Sequence, residues 1–236
     1  AAPIPINLLK RLVMRFLFQL ACCAAVVASV GLRDCLGQEA DQDSSKIQLF
    51  NGKNLDGWTH YLGDSDAAMD EVWSASDGVL RCTGKPVGYL VTRRRDFENY
   101  ILELEWRWPA KPGNNGVLVH VTEKNALCVW PKSLEIQLGH GDAGDFWVIG
   151  TEIQIENVEE RRQGRRHLNL TDDSEKPVGE WNHMKIICRE DTCEVHVNGD
   201  LVNSCSRISQ RRGAIALQSE GAPIEYRKII LQNLPR

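Results

Sequence analysis

An all-β sandwich is the fold class that this sequence predicts, and three observations predict it. Short apolar runs with period-two alternation recur along most of the chain, and turn signals built on Gly, Asn, Asp and Pro separate them. No helical period of useful length appears outside the N-terminal segment. The length of 236 residues, 42% of them apolar, suits one such sandwich, since all-β folds often reach ~200–250 residues as a single domain. The net charge of −4 gives no reason to expect a nucleic-acid partner.

The first forty residues stand apart. Lys10, Arg11 and Arg15 precede an apolar stretch from Phe16 to Leu32, and Cys35-Leu36-Gly37 offers small residues for cleavage before Gln38. A basic start, an apolar middle and a small-residue end are the pattern of a secretory signal. Residues 1–37 are therefore expected to be a signal segment with its upstream residues, 38–46 a polar linker and 47–236 the folded domain. Export to the periplasm or the exterior follows, with no membrane contact for the mature domain. An uncleaved anchor is the alternative, because the apolar run is nearly long enough to span a bilayer. Beyond the linker stand five cysteines, at 82, 128, 188, 193 and 205. Five cannot all pair internally. Cys188 and Cys193 could bridge across a hairpin in an oxidising compartment; buried free thiols are the other reading.

The domain opens with Leu49-Phe50, an Asn51-Gly52 turn and a second turn ending in Trp58. Strands are then expected at 47–50, 72–75, 78–83, 88–92, 98–108, 116–122, 133–138, 151–156, 181–189, 193–198, 200–204, 213–218 and 224–233. Asp77-Gly78 and the run from Pro112 to Gly116 mark turns, and Asn198-Gly199 is a two-residue hairpin signal. Many short strands joined this way argue for a sandwich or jelly roll of two antiparallel sheets. In 100–108, Tyr100, Leu102, Leu104, Trp106 and Trp108 share one face, and Glu103, Glu105 and Arg107 the other. In 117–121, Leu118 and His120 oppose the valines. In 134–138, Glu135 and Gln137 oppose Leu134, Ile136 and Leu138. If these strands are neighbours, they present a polar face of Glu, Arg, His and Gln. Carboxylates and amides match vicinal sugar hydroxyls, and Trp rings stack on the apolar faces of sugars.

Seven segments in order carry a resemblance. They are Phe50 to Trp58, Gly113 to Gly116 with the Val-rich strand after it, Trp130 to Gln137, Gly144 to Trp147, Gly179 to Asn182, Val197 to Val202 and Leu217 to Gly221. Together they resemble the 3-keto-disaccharide hydrolase domain family, over residues 47–234. The resemblance implies a concanavalin A-like jelly roll and a substrate glycoside already oxidised to a ketone at C3. Such a ketone acidifies the proton at C2, so a base removes it and the C1 oxygen leaves by elimination, water then adding to the enone. The reaction needs a general base, a cation or donor at the O3 enolate and an acid for the leaving oxygen.

His120 and Glu135 are the candidates for the base, His120 because it titrates near neutrality. The resemblance places the Glu135-Ile136-Gln137 segment in the family's pocket strand, which makes Gln137 a candidate ligand contact. Lys132 is the candidate for the enolate oxygen. The Gly-rich loop bearing His140, Asp142, Asp145 and Trp147 is expected to cap the cleft, or to hold a divalent cation with Glu135 that would act as a Lewis acid at O3. Glu105, Arg107, Trp130 and Asn115 complete the expected sugar contacts. Two other classes stay open: a non-catalytic, lectin-like carbohydrate-binding module, and a retaining glucanase using Glu152 and Glu156 of the Thr151 to Glu156 segment. The Arg-rich segment from Arg161 to His167 reads as a solvated loop, with an anionic polysaccharide as its alternative ligand.

Overall fold

The computed structural model describes residues 45–171 and 173–235. The expected signal segment, its boundary at residue 37 and nearly all of the linker lie outside the described residues. Tyr100–Arg107 keeps its alternation in three dimensions: its even-numbered residues are buried and its odd-numbered ones half-buried, so one face lies in a core. The first sheet has eight strands. In order they are β14 (Asp200–Cys205), β13 (Thr192–Val197), β12 (Asn182–Arg189), β6 (Tyr100–Arg107), β16 (Ile224–Asn233), β4 (Val79–Cys82) and β3 (Trp73–Ser76), with β1 (Lys46–Gln48) also pairing with β16. The second sheet also has eight: β10 (Arg162–Gln163), β11 (Arg166–His167), β9 (Phe146–Ile149), β8 (Ser133–Gln137), β7 (Gly116–Val121), β15 (Ala214–Ser219), β5 (Gly88–Thr92) and β2 (Trp58–Leu62). The strand pairings are antiparallel, and the architecture is the jelly-roll sandwich that alternation and turn spacing predict.

The main core lies between the sheets. Tyr100, Leu102, Leu104, Trp106, Ile186, Val195 and Tyr226 come from the first sheet, and Leu90, Val117, Val119, Leu134, Ile136, Phe146 and Leu217 from the second. A second apolar cluster lies on the outer side of the second sheet: Tyr89, Val91, Leu118, Val121, Ala214 and Ala216, with Tyr61 and Trp130 packed against it. The β7–β8 connection covers that side. It carries Trp130 onto the cluster, brings Lys124 Nζ 5.1 Å from the Tyr61 ring, and places a Val129 methyl beside Gly63, just past the far edge strand β2. β8, β7, β15 and β5 are consequently buried on both faces.

Several expectations are corrected here. β6 belongs to the first sheet and β7 and β8 to the second, so the three do not form one polar face. Residues 151–156 are not a strand; only Gln154 pairs, as an isolated bridge to Ser206, and Glu152 and Glu156 are exposed. β2, β9, β10 and β11, and the one-turn helices α1 (Met69–Val72) and α2 (Val158–Arg161), were not foreseen. The strict alternation of 117–121 fails at His120. Along β15 two residues separate Ala214 from Ala216, whereas their partners Val121 and Leu118 are three apart, so β7 carries one extra residue. His120 takes the left-handed conformation, at φ 55°, which re-aims everything after Val119. Gly213 makes room for this kink, since a Cβ there would stand 2.4 Å from the His120 carbonyl carbon. All five described cysteines are free thiols; Cys188 and Cys193 face each other with Sγ atoms 4.0 Å apart. Among the described residues no helix is long and apolar enough to cross a membrane.

Candidate functional site

The outer face of the second sheet is organised in two rows that run across the strands. One row is Trp147, Glu135, Leu118, Ala216 and Val91, taken from β9 to β5. In the other, Gln137 stands opposite Gly116 at one end, and Gln218, Tyr89 and Tyr61 succeed one another at the other. The small residues Gly116 and Ala216 leave depth between the rows. A Cβ on Gly116 would stand 2.9 Å from both Cγ and Oε1 of Glu135, and 2.7 Å from Gln218 Oε1, so the missing side chain is what lets the carboxyl and the amide share one hollow.

Glu135 is 6% exposed. Burial pushes its carboxyl up to about 8, and the neighbouring Glu220 carboxylate adds to the rise; Gln218 and Arg165 act in the opposite sense. Glu220, at the end of β15, is itself pushed up to about 7 by burial, with Asn114 beside it opposing the rise. Two carboxyls are thus held near neutrality in one place, as acid–base chemistry at pH 7 requires. Glu220 Oε2 itself and two polar atoms beside the pair, Gln218 Oε1 and Trp147 Nε1, are buried with no hydrogen-bond partner among the described residues. Each such group costs roughly 1–3 kcal/mol while unmet.

The sequence candidates separate into groups. Glu135, Trp147 and Gln137 share the outer face, although Gln137 Oε1 is engaged by the backbone N–H groups of Leu138 and Gly139, at 2.9 and 2.7 Å. Trp130 packs on the adjoining cluster. His120 does not join them: the β7 bulge turns it into the interlayer core, 1% exposed, with its ring edge-on to Tyr100 at 5.9 Å. Glu105 and Arg107 lie on the outer side of the first sheet, paired with Arg227 and Lys228 and with Glu225. Asn115 is buried in the core; its amide donates to the Gln218 carbonyl at 2.8 Å and its carbonyl accepts from the Tyr226 hydroxyl at 2.5 Å. Its neighbour Asn114 is the one beside Glu220. Lys132 pairs with Glu123 at 3.5 Å in the β7–β8 connection.

In the Gly-rich loop, Asp145 accepts from Arg166 Nε and from the Asn169 N–H, at 2.5 and 2.6 Å, and so anchors the loop. His140 stands 3.6 Å from Glu175. Among the described residues no three His, Cys, Asp or Glu side chains gather as a metal site, so the donors present do not fit the divalent cation.

Two residues escaped sequence reasoning. Arg165 sits at the turn between β10 and β11, 5.4 Å from the Trp147 ring, where its charge reaches Glu135. Glu220 continues the even-numbered face of β15, and counting positions 214, 216, 218 and 220 would have found it.

A concanavalin A-like jelly roll with paired carboxyls on one sheet face is the class of protein that fold and site define. The sequence matches the model of the 3-keto-alpha-glucoside-1,2-lyase-like domain over residues 45–232, and the chain belongs to that family. Its structure is similar to two candidate glycosyl hydrolases from Parabacteroides distasonis ATCC 8503, which are 23% and 20% identical to it. Each superposes with a TM-score of 0.59 over 80% of this chain, and over 99% and 94% of its own. The carbohydrate-binding module CBM66 from Bacillus subtilis is similar at a TM-score of 0.54 and 10% identity, over 75% of this chain and 96% of the module. At these identities the structural likeness speaks for the fold alone. No curated protein matches the sequence.

Proposed function

We propose that the outer face of the second sheet binds carbohydrate and that the protein cleaves 3-keto-glycosides there, with Glu135 as the base at C2 and Glu220 as the acid for the leaving oxygen. One observation carries this reading: a pair of carboxyls at about 8 and about 7, with three unmet polar atoms on and beside it. Sugar hydroxyls are both donors and acceptors. They would satisfy Gln218 Oε1, Glu220 Oε2 and Trp147 Nε1 together, and those hydrogen bonds would contribute to binding. Membership of the 3-keto-alpha-glucoside-1,2-lyase-like family supports the substrate class.

The steps use the less populated of the pair's two singly protonated forms, because Glu135 at about 8 holds its proton more tightly than Glu220 at about 7. Ionised Glu135 takes the proton from C2, and the electron pair moves onto the C3 carbonyl as an enolate. Arg165, whose charge reaches Glu135, is the cation for that oxygen, and its guanidinium stabilises charge that develops as the bond breaks. Collapse of the enolate forms the C1–C2 double bond and expels the C1 oxygen, which takes the proton of Glu220. Glu135 then loses its proton to solvent and Glu220 regains one, which resets the pair. The signal-like N-terminal sequence supports export as the setting.

Incubating the protein with a 3-keto-disaccharide tests the reading. Turnover is expected from the intact protein, and its loss from Glu135→Gln with saccharide binding retained. Binding without turnover in the intact protein would make it a carbohydrate-binding module instead.

A further inference from the structure

Away from the carboxyls, the same face ends in a pair of tyrosines whose surroundings are basic. Tyr61 on β2 and Tyr89 on β5 are directly opposite each other, with rings stacked at 5.5 Å and 27°. Tyr89 is buried and Tyr61 half-buried, so Tyr61 is the ring that a ligand can reach. Lys124 reaches the Tyr61 ring from the β7–β8 connection, at 5.1 Å. Arg95, just past β5, lies near enough to Tyr89 for its charge to act on the phenol. Both cations are exposed, and neither takes part in an ion pair among the described residues. The neighbouring Arg94, by contrast, is paired with Asp96. Glu135 on β8 and Tyr89 on β5 are three strands apart, which is about 14 Å at the usual strand spacing of ~4.8 Å.

We infer that the Tyr61–Tyr89 pair, with Lys124 and Arg95, is a distal subsite for a saccharide unit that carries a negative charge, a carboxylate or a sulfate. The inference rests on the reading of this face as a sugar site and names its substrate class: an acidic oligosaccharide. The exposed part of the Tyr61 ring takes the apolar side of a pyranose, and two cations without carboxylate partners offer charge-assisted hydrogen bonds to an anionic substituent at its rim. A neutral sugar would leave both cations to water.

Calorimetric titration of the intact protein with cellobiose, cellobiouronic acid and cellobiose sulfate tests this, since none of the three has the C3 ketone and none is consumed. At low salt at least one acidic disaccharide is expected to bind roughly fivefold to tenfold more tightly than cellobiose, the scale of two exposed ion pairs. That preference should shrink as salt is raised. It should vanish in Lys124→Ala/Arg95→Ala and survive in Lys124→Arg/Arg95→Lys, with unchanged thermal unfolding showing that both variants fold. Whichever acidic form binds better identifies the substituent. Equal affinity for all three sugars, a preference that persists in the alanine variant, or no binding of any of them would overturn the inference. The proposed function fails separately, through absence of turnover of a 3-keto-disaccharide.

Discussion

Glu135 is a carboxyl placed where its charge is poorly solvated, and two of its properties follow from that. It is a strong base once ionised, and it destabilises the fold whenever it is ionised. Glu135→Gln is therefore expected to lower kcat/KM on a 3-keto-disaccharide by roughly a hundredfold to ten-thousandfold, the usual contribution of a general base. The same variant should unfold at a higher temperature than the parent at pH 9. A variant that lost activity and stability together would point to a structural carboxyl instead. Gly116→Ala probes the hollow: its Cβ would press on Glu135 and Gln218. The side chains pressed are buried and one contact is with Glu135 Cγ, so stability should fall by roughly 1–3 kcal/mol while kcat/KM falls tenfold or more, read by urea unfolding beside kinetics. Glu135 and Trp147 were legible in the sequence because strand alternation and a loop motif fix them locally. Glu220 could have been reached by extending the even-numbered face of β15, but Arg165 could not, because the turn that carries it is brought to Glu135 only by the order of strands in the sheet.

At the level of elements, a single inserted residue in β7 decides which histidine does what. Alternation alone puts His120 beside Glu135; the bulge turns it toward Tyr100. His120→Ala is expected to cost about 2 kcal/mol of stability by leaving a cavity, with kcat/KM within about twofold of the parent. A loss of activity without loss of stability would restore it as a base. The β10–β11 hairpin has the opposite status. It is short and exposed, yet it delivers Arg165 to Trp147 and Glu135. Arg165→Ala should therefore lower kcat at least tenfold while leaving the unfolding midpoint within a degree or two. Most long strands were readable because one buried face imposes period two. β9 was not, because it has only four residues, all apolar, after a Gly-rich loop, and so short a run without alternation carries no period. The amphipathic segment 151–156 has the right period but no strand to pair with beyond the single bridge at Gln154. The same limit hid the assignment of β6 to the opposite sheet, since period reports a face and says nothing about which neighbour a strand finds.

For the molecule as a whole, the two carboxyls tie activity and stability to one pH range. Catalysis as proposed needs Glu135 ionised and Glu220 protonated, the minor of the pair's two singly protonated forms, so kcat/KM should follow a bell with its maximum between about 7 and 8, where the pair titrates jointly, and with a height limited by that form's share. Stability must move the other way across this range. Between the ordinary value of 4.5 and the raised values near 8 and 7, the folded chain holds protons that the unfolded chain has released. The free energy of unfolding therefore falls as pH rises, by up to ~1.4 kcal/mol per pH unit for each group within its range. His167 opposes this, because burial holds it below its ordinary value of 6.5, but its opposition ends once the unfolded histidine has also lost its proton. That offset fades over about one pH unit above 6.5, beyond which the carboxyls act without it. Urea unfolding at half-unit steps from pH 6.5 to 8.5 should show declining stability in the parent, a shallower decline in Glu135→Gln and a shallower one still in Glu135→Gln/Glu220→Gln. A parent whose stability is flat or rises over those two units would mean that neither carboxyl keeps its proton in the folded chain, and the pair would then have no means of acting as acid and base at neutral pH.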